Sequence, residues 1–206
     1  MESQTYWNAV YSAKSAESVS WYAPHLTRSL QYVGRAAPDK GAAIIDVGGG
    51  ESTLVDDLLA GGYCNLTVLD ISATALEVAR QRVGVHGSSV TWRAADVLDA
   101  DWPAHSFDVW HDRAVFHFLT TNDQRERYVA RVVQALKPDG FAIVATFGPH
   151  GPTQCSGLAV SRYTAGELHA RFGAQFALLE STQEVHTTPW GTPQQFVYCF
   201  CRRHTR

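Results

Sequence analysis

The chain has 206 residues, 45% of them hydrophobic, enough for one domain with a full core and no disulfide staples. A net charge of -3, 18% charged residues and no basic run beyond Arg202-Arg203 argue against a nucleic acid or an anionic membrane as partner. Met1-Glu2-Ser3-Gln4-Thr5 lacks a basic segment followed by an apolar one, and no apolar run reaches the roughly 18 residues of a membrane span, so a cytoplasmic protein is expected.

In chain order, residues 1–40 are rich in aromatics and suit two short helices near 4–14 and 25–36, a helical lid on the domain formed by residues 41–206. From Gly41 onward, apolar runs of strand length alternate with helical stretches. The predicted strands are Ala43–Val47, Leu66–Asp70, Val90–Ala94, Phe107–Trp110 and Phe141–Thr146. Leu54–Ala60, Ala73–Val83 and Gln124–Leu136 repeat apolar residues at helical spacing. Such alternation means a parallel sheet covered on both faces. After a helix at Ala165–Phe172, the extended stretches Phe176–His186 and Gln195–Arg203 are joined by Thr187-Thr188-Pro189-Trp190-Gly191-Thr192-Pro193, too short for a crossover helix. They predict an antiparallel hairpin. The fold class is therefore α/β, Rossmann-like and doubly wound, with a seven-stranded, mostly parallel sheet that ends in an antiparallel hairpin. Cys64 and Cys155 stand alone, and Cys199 and Cys201 share one strand face without a second pair, so reduced thiols and no metal site are expected.

Asp46-Val47-Gly48-Gly49-Gly50-Glu51-Ser52 follows the first strand. Glycine lets the chain turn sharply into a helix while leaving backbone N–H groups bare for a ligand. Asp70 ends the second strand, where a carboxylate can accept both hydroxyls of a ribose, and Asp96 closes the third. Ser52 stands where a dinucleotide fingerprint would carry its third glycine, and Glu51 puts a negative charge where a pyrophosphate wants none. A ligand with a cationic centre and an ammonium group fits better.

Taken together, Asp46-Val47-Gly48-x-Gly50, Val68-Leu69-Asp70-Ile71-Ser72, Ala95-Asp96-Val97, Phe107-Asp108-Val109, Leu136-Lys137-Pro138-Asp139-Gly140 and the terminal hairpin resemble the class I S-adenosylmethionine-dependent methyltransferases. The resemblance implies S-adenosylmethionine as cofactor and S-adenosylhomocysteine as product. It assigns the methionine part to Gly48, Gly49 and Gly50 with Asp46, the ribose to Asp70 with Ile71, and the adenine to Asp96 with Val97.

The stretch Val109-Trp110-His111-Asp112-Arg113-Ala114-Val115-Phe116-His117-Phe118-Leu119 opens at the carboxyl edge of the sheet, where an acceptor would lie. His111, Asp112, Arg113 and His117 are the acceptor-facing candidates, against the simpler readings of histidines packed under a helix and an Asp112–Arg113 pair. Two subfamily resemblances compete. Trp110-His111-Asp112-Arg113, Arg125-Glu126-Arg127-Tyr128 and His186-Thr187-Thr188-Pro189-Trp190-Gly191 are similar to segments of the thiopurine S-methyltransferases, with Trp7, Tyr11 and Trp21 as an aromatic lid over the cofactor and Arg113 touching the acceptor. Inserted His111 and Pro189 depart from that pattern. The start from Tyr6 to Tyr11 resembles lysine methyltransferases of elongation factor 1A, although Asp112-Arg113-Ala114-Val115 does not reproduce their Asp-Lys-Gly-Thr. A small-molecule acceptor with a thiol or similar soft nucleophile is the favoured expectation, and protein lysine methylation the alternative.

Overall fold

The structure is a computed structural model and describes residues 2–205. Helix α1 (Glu2–Ala13) and helix α2 (Thr27–Ala36) precede β1 (Ile44–Val47), α3 (Leu54–Ala60), β2 (Leu66–Asp70), α4 (Ala73–Val83) and β3 (Thr91–Ala94). The chain continues through β4 (Phe107–Arg113), α5 (Asn122–Ala135), β5 (Leu136–Phe147), β6 (Gln154–Cys155), β7 (Leu158–Ala159), α6 (Ala165–Phe172), β8 (Phe176–Thr187) and β9 (Pro193–Arg203). Seven strands form one sheet in the order β3-β2-β1-β4-β5-β9-β8, and β6 pairs only with β7. Every junction from β3 to β5 is parallel, while β9 runs antiparallel to both β5 and β8. The expected fold class is the one observed.

The pattern of burial explains the layers. Every residue of β1 and β2 is buried, as strands covered on both faces require. On one face, Ile45, Val47, Trp110 and Val144 pack with Tyr128 and Val132 of α5 and Leu168 and Phe172 of α6. On the other, Ile44, Val68, Val109 and Ile143 pack with Tyr32 and Val33 of α2, Leu54 and Leu58 of α3, and Leu76 and Val83 of α4. The order reverses at β1, which lies between β2 and β4, so the loops after β1 and β4 part and leave a crevice at the carboxyl edge.

Local chemistry sets the ends of the helices beside that crevice. The Ser72 hydroxyl accepts from Ala75 N–H and caps α4 directly after Asp70. Thr121 with Gln124, and Thr164 with Glu167, form reciprocal capping boxes that fix the starts of α5 and α6. In the Lys-Pro-Asp-Gly segment Asp139 takes φ +62, and regular pairing of β5 with β4 begins at Phe141 opposite Val109.

The predicted elements agree with the observed ones to within a few residues. Two features were not foreseen. Strand β4 runs on to Arg113, and the β6–β7 hairpin uses strands of two residues each, too short to show a period. Cys64 is exposed, and the other three cysteines are buried and free.

Candidate active site

A cavity of ≈ 430 Å³ opens at the carboxyl edge, and the ends of β1, β2, β3 and β4 supply its floor through Gly48, Asp70, Asp96 and Arg113. Helix α1 closes it from above with Trp7 and Tyr11, and the β6–β7 hairpin closes the side with Cys155, Leu158 and Ala159. The rings of Trp7 and Tyr11 each meet Trp21 at about 6 Å, and Trp7 meets Phe118 at 5.2 Å, forming an aromatic roof. Two hydrogen bonds latch α1 down: Tyr6 donates to the Ser156 carbonyl, and Ser72 Oγ lies 2.7 Å from Asn8 Oδ1. One latch therefore ends on the hairpin and the other on the cap of the helix that follows Asp70.

The glycine turn has the conformation its sequence demanded. Gly48 and Gly50 adopt φ +69 and +39, the left-handed region that favours glycine. A Cβ on Gly48 would stand 2.0 Å from Val115 Cγ2, and one on Gly50 would stand 2.9 Å from Asp70 Oδ2 and 3.0 Å from the Tyr11 hydroxyl. Arg82 braces the turn from behind, donating through Nη1 and Nη2 to the carbonyls of Glu51 and Ser52 while Nε and Nη2 hold Asp56. Gly50→Ala is thus expected to weaken S-adenosylhomocysteine binding by at least about tenfold while costing about 1 kcal/mol of stability, as calorimetric titration and thermal unfolding would register.

Asp70 is 5% exposed and accepts from Ser72 N–H at 2.7 Å. Burial pushes its carboxyl up to about 7, against the N–H groups of Ser72 and Gly50, and the nearby Asp46 and Glu51 carboxylates add to the rise. Ile71, Val97 and the half-buried Asp96 line the same wall, and Asp96 Oδ1 accepts from Leu98 N–H. The Tyr11 hydroxyl is held well above its usual range by burial and by Asp70 and Glu51.

The four residues singled out after the fourth strand separate. Alternation along β4 sends His111 and Arg113 toward α2 and the N-terminal segment, and Asp112 toward α5. His111 lies 2.7 Å from Asp46 Oδ1 and 2.8 Å from Ser29 Oγ. Arg113 lines the cavity, donates to the Trp21 carbonyl at 3.2 Å and covers the Phe196 ring at 4.3 Å. Its Nε and Nη2 are buried without a hydrogen-bond partner. Asp112 lines no cavity wall. Its carboxylate receives Val115 N–H, Phe116 N–H and the Tyr128 hydroxyl, whose oxygen in turn accepts from Trp110 Nε1 at 2.9 Å. His117 is likewise packed inside, between Phe118 and Phe147, where burial pulls its pKa down to about 3 and leaves both ring nitrogens unpartnered. Trp190 is exposed in the β8–β9 loop, and His186 beside it bonds the Ser20 carbonyl.

Phe118 and Leu119, at the end of the stretch read as opening toward the acceptor, line the cavity, and so do Gln124 and Leu158, which the sequence reading did not place there. Cys155 lines it too, and burial pushes its thiol up to about 11. Among the described residues no group of three or more His, Cys, Asp or Glu is placed to hold a metal ion, and no helix is long and apolar enough to cross a membrane.

The described geometry suits S-adenosylmethionine: a glycine cradle that any Cβ would fill, a strand-end carboxylate for a ribose, an aromatic roof, and unpartnered carboxylate oxygens on Asp46 and Glu51. Comparison with known proteins agrees. A family described as "Methyltransferase domain" matches residues 44–140. EEF1A lysine methyltransferase 2 of Danio rerio is 28% identical over 111 residues, 51% of this chain and 48% of that protein. Its Homo sapiens counterpart is 22% identical over 189 residues, 85% of this chain and 74% of that protein. Among solved structures, one concerned with converting a disulfide bond into a thioacetal group during echinomycin biosynthesis superposes with a TM-score of 0.79 at 21% identity, covering 98% of this chain and 94% of that one. Burkholderia thailandensis 1,6-didemethyltoxoflavin-N1-methyltransferase, with S-adenosylhomocysteine bound, gives a TM-score of 0.70 at 20% identity over 98% of this chain and 84% of that one. The glycine cradle, the doubly wound sheet and a methyltransferase domain matched over residues 44–140 thus agree with one another, while the chain spans about half the length of the Danio rerio relative.

Proposed function

We propose that the chain is an S-adenosylmethionine-dependent methyltransferase whose acceptor is a small molecule bearing a thiol or similarly soft nucleophile. The observation that carries this reading is the charge distribution of the cavity. Among its described lining residues Arg113 is the one cation, and the two carboxylates, Asp70 and Asp96, sit at the strand ends assigned to ribose and adenine. The wall beyond them is Val115, Phe118, Leu119, Thr120, Gln124 and Leu158, apolar or neutral.

Bound S-adenosylmethionine supplies a methyl group on a sulfonium, which a nucleophile takes by in-line displacement. The protein's part is then to hold the nucleophile in line and exclude water. Helix α1 and the β6–β7 hairpin exclude water. Arg113 favours an ionised nucleophile: a thiol has a free pKa of about 8.5, so a neighbouring guanidinium suffices to raise its thiolate fraction at neutral pH. Neither His117 nor Asp112 faces the cavity to act as a general base. The similarity of the Trp110–Arg113, Arg125–Tyr128 and His186–Gly191 segments to the thiopurine S-methyltransferases supports the same assignment.

Protein lysine methylation is the second reading, favoured by the EEF1A lysine methyltransferase relatives and the Tyr6–Tyr11 start. A methyl-label screen of small thiols, amines and phenols beside a protein lysate separates the two. Turnover of a thiol is expected, and label confined to protein would reverse the order. In Arg113→Ala, turnover of that acceptor should fall about 10- to 100-fold with a much smaller change in cofactor affinity. A fully active variant would remove Arg113 from the acceptor site.

A further inference from the structure

Behind the glycine turn lies a second chamber of ≈ 40 Å³, walled in part by Asp46, Gly49, Glu51, His111 and Arg113. Two carboxylate oxygens beside it, Asp46 Oδ2 and Glu51 Oε2, are buried without a hydrogen-bond partner. Their residues are only 5% and 6% exposed. Leaving a carboxylate oxygen dry and unpaired is costly, and a ligand that brings N–H donors removes the cost. Arg82 does not fill that role, because it reaches Glu51 only at the backbone carbonyl.

The other Asp46 oxygen is spoken for. His111, its register partner on the neighbouring strand, lies 2.7 Å from Oδ1 through Nδ1, and Ser29 of α2 lies 2.8 Å from His111 Nε2. These are the groups and spacings of a hydrolytic triad, but Ser29 is fully buried and lines neither chamber, so it has no substrate to attack. With the Ser29 hydroxyl donating into Nε2, the Nδ1–H donates to Asp46, and a neutral imidazole is satisfied at both ends. This arrangement pins Oδ1 and leaves Oδ2 for the chamber.

We propose that Ser29 and His111 are positioning residues that aim Asp46 Oδ2, beside Glu51, at a primary ammonium group on the ligand. Given the cofactor reading, on which the inference rests, that group is the amine of the methionine part. An ammonium carries three donors, and two unpaired carboxylates flank a space large enough for such a head group. Selection for the amine would then begin at α2, a helix that never touches the ligand.

Calorimetric titration of the purified protein with three ligands tests this: S-adenosylhomocysteine, its decarboxylated analogue, which keeps the amine, and 5′-methylthioadenosine, which has neither amine nor carboxylate. In His111→Leu the first two should bind about tenfold more weakly and the third within about twofold of the parent, with KM for the cofactor raised and kcat little changed. His111→Gln, which retains a donor, should recover part of the loss, and adding Asp46→Asn to His111→Leu should cost little more. Ser29→Ala, a smaller change, should show the same selectivity at reduced size if the leucine variant does not fold. Equal weakening of all three ligands, or no weakening of the two amines, would overturn the positioning role. Failure of the parent protein to bind any adenosyl ligand would instead overturn the cofactor reading itself.

Discussion

Asp70→Ala is expected to weaken S-adenosylhomocysteine binding about 30- to 100-fold while leaving the fold intact, because it removes a charged acceptor for two ribose hydroxyls, worth about 2 to 3 kcal/mol. Burial holds this carboxyl at about 7 in the free protein. Hydroxyl donors favour the ionised form, so affinity should rise about tenfold from pH 6 to pH 8, and Asp70→Asn should lose both the affinity and its pH dependence. Stability of the free protein has the opposite sign. An unfolded aspartate releases its proton near pH 4, whereas the native one keeps it to about 7, so the Asp70 contribution is complete below about pH 4 and is lost as pH rises through about 7. Thermal stabilisation by the ligand should therefore be greatest on the alkaline side. Unchanged affinity in Asp70→Ala would withdraw the ribose assignment.

Asp112→Ala should lower unfolding stability by about 3 kcal/mol, the largest stability effect expected for a single residue of this site. The carboxylate is fully buried and gathers Val115 N–H, Phe116 N–H and the Tyr128 hydroxyl. Alanine would leave all three donors dry and loosen the turn that carries Val115 against Gly48. Asp112→Asn should cost less, about 1 to 2 kcal/mol, because the amide oxygen still accepts. Urea unfolding beside cofactor titration reads both outcomes: reduced stability with near-normal affinity in the surviving folded protein is expected. Normal stability with abolished turnover would make Asp112 a catalytic group after all.

Much of this was legible in the sequence, for identifiable reasons. Strands and helices followed from period and length, and the candidate cradle was visible because its residues are adjacent in the chain, such as Gly48 to Gly50 or Asp70 to Ser72. Strand alternation alone would have separated Asp112 from His111 and Arg113, had β4 been extended to Arg113. What α5 offers Asp112, and what α2 offers His111, depends on packing between distant segments that no local pattern records. The same holds for Glu51. Its charge was read as hostile to phosphate, but that its Oε2 accepts no hydrogen bond emerged only once Arg82 was seen to donate to its backbone carbonyl instead. The β6–β7 hairpin, which walls the acceptor side, is too short to announce itself.

The latch between Tyr6 and Ser156 joins positions 150 residues apart. Closing so long a loop brings no reward until both ends exist, so the α1 latch cannot form until the β6–β7 hairpin has been made. Through most of the chain's emergence from the ribosome, Trp7 and Tyr11 have no roof to build, because Trp21, Phe118 and the hairpin beneath them are not yet assembled. Newly made chains would then pass through an interval in which β1 to β5 have been made, the cleft stands open, and the aromatic helix has no hairpin to latch onto.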